Sequence, residues 1–175
     1  MRRISGFTLL ELLITLFVLM VLGSMALPGL SAVIEQNRLT NMTNTLLGAL
    51  RYARAEAVSL RGRVTLCKSG SGSGCADTGG YEQGWIVFRD EGLVGQLEAS
   101  DQVLRVFQGA ENLTINGNAP VRNYVSFVAS GASRSASGAF QAGSITLCMR
   151  KRSGRLILSG TGRVRSEPQG TACSG

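Results

Sequence analysis

The feature that most constrains this chain is a run of 23 residues, 12–34, that contains no charged side chain. About 20 apolar helical residues cross the hydrocarbon core of a bilayer, because each residue adds about 1.5 Å to the helix. The run is therefore long enough to span a membrane. Arg2 and Arg3 precede it in a short polar leader, and positive charges favour the cytoplasmic side. We expect the residues after the run to lie outside the cytoplasm.

A cleaved secretory signal is the alternative interpretation of this N-terminus. The two leader arginines suit its basic segment, and Ser24-Met25-Ala26 ends in a small-x-small pattern. Glu11 argues against a signal, because an isolated carboxylate in an apolar helix is costly unless it meets a specific partner. A discarded leader has no use for such a group, so the sequence favours a helix that is retained.

Charge and composition restrict the chemistry of the rest of the chain. The net charge is +7, and the stretches 1–76, 77–101 and 102–175 carry +5, −5 and +7. The basic C-terminal stretch suits polyanions and anionic lipids as partners. Because the chain has no histidine, it lacks the imidazole of Ser/His/Asp or Cys/His catalysis and of a histidine zinc site. We predict that the protein is not an enzyme, and we predict no cofactor or metal.

A second helical pattern follows the uncharged run. Apolar residues recur at steps of three and four: Leu39, Met42, Leu46, Leu50, Ala53, Ala57 and Leu60. Polar residues fall elsewhere on the helix, at Asn41, Asn44, Arg51 and Arg54. This spacing predicts an amphipathic helix that continues the first one, ends at Gly62 and packs one face on a sheet.

Beyond Gly62, glycine and serine separate short runs of β-forming residues. Six runs predict strands, at 63–67, 85–88, 103–107, 124–128, 144–149 and 155–159, and weaker candidates lie at 113–115 and 162–165. The predicted fold is therefore α+β, with a long N-terminal helix packed on antiparallel β-sheets.

Four cysteines, Cys67, Cys75, Cys148 and Cys173, allow three disulfide pairings in an oxidising compartment. We predict that Cys67 pairs with Cys75 across a glycine-serine loop, and that Cys148 pairs with Cys173 to tie the C-terminal tail to a strand. Each bond would stabilise the fold by roughly 2–4 kcal/mol. A four-cysteine zinc site is the alternative, although the spacings lack a close C-x-x-C pair.

The N-terminal residues Gly6-Phe7-Thr8-Leu9-Leu10-Glu11-Leu12 resemble the start of type IV prepilins and type II secretion pseudopilins. The resemblance implies cleavage after Gly6 by a prepilin peptidase, methylation of the new N-terminal Phe7, and anchoring in the bacterial inner membrane. It implies a leader (1–6), a membrane and polymerisation helix (7–34), an amphipathic half-helix (35–62) and a periplasmic β-rich domain (63–175).

In such a filament, Glu11 would meet the positively charged amine of a neighbouring Phe7 within an apolar bundle. An unpaired buried carboxylate costs several kcal/mol, so the pairing would set the register of the subunits. The alternative is that Glu11, near the start of its helix, reaches the lipid headgroups. Other pilins or pseudopilins are therefore the predicted partners.

The globular part resembles the FimT/GspH group of minor pilins and pseudopilins. The resemblance is carried by residues 84–88, 124–127 and 143–148 and by Gly162-Arg163-Val164-Arg165. In some members of the FimT branch, a C-terminal Gly-Arg-x-Arg motif binds DNA during natural transformation, which implies this role for Gly162, Arg163 and Arg165. Further basic residues that would enlarge the site are Arg150, Lys151, Arg152 and Arg155.

The chemistry of the motif also fits DNA when the resemblance is set aside. Two arginines two residues apart project to the same side of an extended segment, about 6–7 Å apart, and guanidinium groups form bidentate contacts with phosphates. Gly162 would allow a close backbone approach. Such binding would be independent of DNA sequence and sensitive to salt.

Two alternatives remain open for the arginine pair: docking onto the acidic stretch 77–101 of a neighbouring subunit, or an inert solvated surface. At the level of the whole protein, the predicted role in DNA uptake has two alternatives as well. One is a structural minor pilin that primes pilus assembly, and the other is a GspH-like pseudopilin of type II secretion.

Overall fold

The computed structural model describes residues 8–150, 152–170 and 173, without the side chains of residues 24–31, 168 and 169. Its first element is a long helix, α1, Leu9–Ser59. Thr8 caps this helix, because its hydroxyl oxygen accepts a hydrogen bond of 3.3 Å from the backbone N–H of Glu11. The sequence predicts a membrane span over residues 12–34; among the described residues, no helix is both long enough and apolar enough to cross a membrane.

The chain divides into two compact units, Met1–Asn37 and Arg38–Gly175. In the first unit, the large apolar side chains that are described, from Leu9 to Leu22 and at Val33 and Ile34, are exposed. The second unit contains the described core.

The C-terminal end of α1 differs from the prediction. The helix ends at Ser59, before the predicted end at Gly62, and Arg61 takes the left-handed conformation (φ 49°). The N–H of Arg61 donates to the carbonyl of Val58, and that of Gly62 donates to the carbonyl of Ala57. This is a Schellman arrangement in which the glycine lies one position later than expected.

The strands are β1 Val64–Lys68, β2 Gly84–Arg89, β3 Gln102–Gln108, β4 Thr114–Gly117, β5 Tyr124–Phe127, β6 Gly143–Met149, β7 Arg152–Leu158 and β8 Val164–Gly170. They form two four-stranded antiparallel sheets, in the orders β3-β2-β1-β5 and β4-β6-β7-β8. Short 3₁₀ helices, Tyr81–Gln83 and Ala119–Val121, lie between strands. Every predicted segment overlaps a strand, although the weaker candidate 162–165 enters β8 only at Val164.

The core lies between α1 and both sheets. Five residues of the predicted apolar stripe are buried, namely Leu39, Leu46, Leu50, Ala53 and Ala57, whereas Leu60 is exposed. They share one cluster with residues of both sheets, for example Val64, Trp85, Phe127, Ile115, Leu147 and Leu158. The amphipathic prediction is thus confirmed, and the α+β fold follows from one helix face covering two sheets.

Candidate nucleic-acid interface

The predicted arginine pair lies at the hairpin between β7 and β8. Leu158 and Val164 form the last strand pair, and residues 159–163 make the turn. The turn is closed by the N–H of Ser159, which donates to the carbonyl of Arg163 at 3.0 Å. Val164 is buried, whereas Arg163 and Arg165 on either side of it are exposed. Both guanidinium groups therefore project from the same side of the chain, as the spacing predicts.

A shallow cleft of about 370 Å³ lies between these two arginines. Its described lining is Ile157, Ser159, Thr161, Arg163 and Arg165, and contains no carboxylate. The hydroxyl oxygens of Ser159 and Thr161 are 2.8 Å apart. Guanidinium and hydroxyl groups are the donors that bind phosphate oxygens, so the cleft suits an anion.

Gly162 has a different role from the one that the sequence indicated. It is buried, with φ +80°, and a Cβ atom there would lie 1.9 Å from the carbonyl oxygen of Gly131. The loop that carries Gly131 is also bonded to the hairpin, because the backbone N–H of Ser133 donates to the carbonyl of Gly160 at 3.2 Å. The space beside Gly162 is therefore taken by another loop of the same chain, and the glycine positions the hairpin.

The arginines of the hairpin are only partly neutralised. Glu167 lies 3.9 Å from Arg165 and 3.8 Å from Arg155, in ion pairs that are well exposed. Such pairs contribute about 0.2–1 kcal/mol and are screened by salt, so phosphate groups can compete for both arginines. Among the described residues, the side chain of Arg163 has no ion pair or hydrogen-bond partner.

The larger basic set that the sequence groups together is divided in the structure. Arg150 and Arg152 lie at the turn between β6 and β7, at the far end of β7 from the arginine hairpin. A seven-residue strand spans roughly 20 Å, so this end is remote from Arg163. Lys151 lies outside the described residues. Arg155 alone among this set shares the outward face of Arg165.

A second groove, on the other side of the hairpin, contains arginines that the sequence analysis did not assign to the site. The groove has a volume of about 650 Å³ and is lined by Arg51, Arg54, Ala55, Val58, Ser59, Gly162, Arg163 and Val164. The helical pattern already places Arg51 and Arg54 outside the apolar stripe. Helical spacing carries no information about which loop that face approaches, so sequence reasoning had no signal for their position.

The predicted disulfide between Cys67 and Cys75 is confirmed, which excludes a four-cysteine zinc site. In the structure Cys148 and Cys173 are free thiols that lie side by side on one cleft, so their predicted pairing stays a prediction. The Cys173 thiol instead donates a hydrogen bond to the carbonyl oxygen of Arg152. Burial, together with the neighbouring Cys173, raises the pKa of Cys148 to about 11, so Cys148 stays protonated at neutral pH.

The predicted processing site lies at the edge of the described structure. Gly6 and Phe7 fall outside the described residues, so cleavage and methylation stay predictions. Glu11 is exposed in the first turn of α1. An acidic side chain there interacts favourably with the helix dipole, in addition to the assembly role that the sequence predicts.

The acidic stretch contains a loop, residues 90–101, that we call the acidic loop. Its carboxylates accept hydrogen bonds from the chain itself. Asp90 accepts from the hydroxyl of Thr65 and from the N–H of Gly95, at 2.6 and 2.9 Å. Asp101 accepts from the backbone of Glu91 and Glu98, and Glu98 accepts from that of Leu93. Three of its four acidic side chains thus organise the loop.

Two known sequence profiles match the chain. The sequence profile described as "Type II transport protein GspH" matches residues 42–162, and the "Prokaryotic N-terminal methylation motif" matches residues 1–27. Among curated proteins, no sequence matches the chain.

Two crystal structures of the type IV minor pilin FimU from Pseudomonas aeruginosa (strain PAO1) are similar to the chain. In space group P21 the TM-score is 0.56 at 22% identity, over 77% of this chain and 91% of FimU. In space group P65 the TM-score is 0.54 at 22% identity, over 74% and 93%. At this identity the likeness shows a shared fold, a long helix on antiparallel sheets.

Proposed function

The chain belongs to the family described as type II transport protein GspH and has the fold of a type IV minor pilin, and we propose that it binds DNA. In this proposal it is a minor pilin of a type IV pilus that grips DNA without sequence preference and assists its uptake in natural transformation. The contacts are made by Arg163 and Arg165, with Arg155 beside them.

The observation that carries this proposal is the cleft between the two arginines. Arg163 and Arg165 line one cleft together with Ser159 and Thr161, whose hydroxyls contact each other, and the described lining contains no carboxylate. A phosphate in the cleft would accept hydrogen bonds from both guanidinium groups and displace the weak pair between Arg165 and Glu167. These contacts carry no base information, so binding would not depend on DNA sequence.

The filament setting is proposed from the N-terminal residues. A prepilin peptidase would cleave after Gly6, and the amine of methylated Phe7 would pair with Glu11 of a neighbouring subunit. The match of the methylation motif to residues 1–27 supports this processing. Before assembly, the apolar N-terminal segment would hold the subunit at the inner membrane, with the β-rich domain in the periplasm.

The acidic loop argues against the arginine pair docking on residues 90–101 of a neighbour. Asp90, Glu98 and Asp101 already accept hydrogen bonds from hydroxyl or backbone donors within their own chain. Glu91 is paired with Arg89 at 2.8 Å. An incoming arginine would compete with these contacts, whereas a DNA phosphate arrives without an existing partner in the protein.

The test is DNA binding by a fragment that covers residues 35–175, which includes the whole described core. Arg163→Ala/Arg165→Ala should weaken binding to two unrelated duplexes equally. The slope of log K against log salt should fall by about 0.9 for each lost phosphate contact, or about 2 for the pair. Fluorescence anisotropy across a salt series measures both quantities.

The matched control is Arg38→Ala/Arg122→Ala, which removes the same charge from two exposed arginines that line neither groove. It should leave the salt slope unchanged. If Arg163→Ala/Arg165→Ala titrates like the unaltered fragment, these two arginines do not bind DNA and the assignment of the motif is wrong. If the unaltered fragment does not bind DNA at all, a structural role in pilus assembly replaces the DNA-binding role.

A second candidate function, a pseudopilin of type II secretion, is favoured by the family description itself. Deletion of the gene separates the two candidates. Loss of DNA uptake with normal enzyme export supports the pilus role. Blocked export of folded enzymes, with piliation and transformation intact, supports the secretion role.

A further inference from the structure

One exposed face of α1 carries a stripe that does not pack against the core. Arg51, Arg54, Ala55 and Val58 are spaced i, i+3, i+4 and i+7, so they lie on the same side of the helix. Arg51 is exposed, and Val58 keeps 50% of its surface exposed. The stripe combines two positive charges with a small apolar surface.

This stripe faces the arginine hairpin across the second groove, which Arg163 also lines. A Cβ atom at Gly131 would lie 3.2 Å from Nε of Arg54, and one at Gly162 would lie 3.3 Å from the same atom. The guanidinium group of Arg54 therefore rests against the two glycines that hold the hairpin in place. The contact sets one helix arginine directly beside the Gly-Arg-x-Arg segment.

The groove is positively charged and has no internal counter-charge. In the part of the chain that the structure describes, Arg51, Arg54 and Arg163 take part in no ion pair, and no carboxylate lines the groove. Glu56, the one acidic residue of the helix from Arg38 to Ser59, hydrogen-bonds with Tyr52. Three unpaired guanidinium groups around one groove attract a ligand with several negative charges.

The composition of the groove narrows the class of that ligand. A nucleic-acid strand presents phosphates at regular intervals, with largely apolar sugar faces between them. Guanidinium groups suit the phosphates, and the exposed methyl groups of Ala55 and Val58 suit the sugars. The groove therefore fits one strand of a nucleic-acid backbone better than an isolated small anion.

We infer that Arg51 and Arg54 belong to the DNA-binding surface, which thus crosses from the hairpin onto α1. Arg163 lies between the two grooves and contributes to both, with Arg165 on one side and the helix arginines on the other. This inference rests on the proposed DNA-binding function. It extends the site from one segment of the sequence to two segments about 110 residues apart.

The experiment uses fragment 35–175 and a labelled duplex over a salt series. Arg51→Ala/Arg54→Ala should weaken binding by about tenfold or more at about 0.1 M salt, and should lower the salt slope by about 2. Arg38→Ala/Arg122→Ala is again the control, because Arg38 lies about 20 Å from Arg51 along the helix axis. The control should retain both the affinity and the slope.

Because Arg54 contacts the hairpin, its loss can also disturb Arg163 indirectly. Arg51→Ala alone avoids this difficulty, since the described structure gives Arg51 no ion pair or side-chain hydrogen bond that folding depends on. It should lower the slope by about 1 without changing the unfolding transition. Arg54→Lys, which keeps the charge, should retain most of the slope.

The outcomes separate this inference from the function on which it rests. If Arg163→Ala/Arg165→Ala weakens binding but Arg51→Ala does not, the helix is not part of the site and the inference is wrong. If the helix variants weaken binding and the hairpin variant does not, the motif assignment fails instead. An unaltered fragment that does not bind DNA at low salt overturns both.

Discussion

The acidic loop and the basic surface around the arginine hairpin have opposite charges, and they use those charges in different ways. In the acidic loop, Asp90, Glu98 and Asp101 accept hydrogen bonds from donors of their own chain. At the basic surface, Arg51, Arg54 and Arg163 have no such partner among the described residues. Charged side chains that have hydrogen-bond partners within their own chain therefore have a structural role. Charged side chains without such partners are available to bind a ligand.

The reason for the difference is that a carboxylate accepts hydrogen bonds and a guanidinium group donates them. Loops outside a sheet leave backbone N–H groups without a partner, and carboxylates can satisfy several of these at once. The acidic loop is also held by Leu97, which packs with Cys75 and Tyr124 against Cys67, Ile86 and Phe88. The basic hairpin is held by backbone contacts, from the N–H of Ser133 to the carbonyl of Gly160 and between Gly162 and Gly131.

The largest predicted effect tests whether backbone contact holds the hairpin. Gly162→Ala should lower the free energy of unfolding by about 2–5 kcal/mol, because a left-handed residue gains a Cβ atom that clashes with Gly131. Gly138→Ala is the matched control, since Gly138 has φ +81° and open space around it. It should cost about 1–2 kcal/mol. Urea unfolding of both variants measures the difference in their free energies of unfolding. Equal losses of stability would show that the contact with Gly131 does not hold the hairpin.

The second prediction tests the structural role of the acidic loop. Asp90→Ala leaves the hydroxyl of Thr65 and the N–H of Gly95 without an acceptor, and should cost about 1–3 kcal/mol of stability. Asp77→Ala removes an exposed carboxylate and should stay within about 0.5 kcal/mol of the unaltered protein. Neither variant should change the salt slope of DNA binding. If Asp90→Ala left stability unchanged but altered DNA affinity, the acidic loop would have a role in binding and not in folding.

The smallest predicted effect is a pH dependence that comes from Asp90. Burial, with a smaller contribution from Asp101, raises the pKa of Asp90 above its ordinary value, and one carboxylate oxygen lacks a partner in the described structure. A raised folded pKa means that folding favours the protonated form. Its contribution to stability is complete below the unfolded pKa of about 3.9 and is lost as pH rises through the folded value.

The unaltered protein should therefore gain stability relative to Asp90→Asn as pH falls from about 7 to about 4. Urea unfolding of the two proteins at matched pH values gives this difference, and the comparison cancels the contributions of the other carboxylates. A difference that is constant with pH, or that changes in the opposite direction, would contradict the raised pKa.

Much of the fold was predictable because it depends on spacing within short segments. The three- and four-residue steps from Leu39 to Ala57 identify the buried face of α1, and every strand segment shows its own β-forming pattern. The pairing of Cys67 with Cys75 was predictable for the same reason, because only a short loop separates them. The nearness of Cys148 and Cys173 depends instead on where a tail 25 residues away is placed, and the structure places Cys173 beside Cys148 on one cleft.

Local patterns in the sequence were enough to predict the helix, the strands, the processing motif and the projection of Arg163 and Arg165 from one side of the chain. These features depend on neighbours within a few residues, whose relative positions follow from backbone geometry. The folded chain was needed to show that Gly162 packs on Gly131, that Arg54 lies beside both, and that Arg150 and Arg152 are remote from the hairpin. Those positions depend on how distant segments pack in the core, which local spacing does not encode.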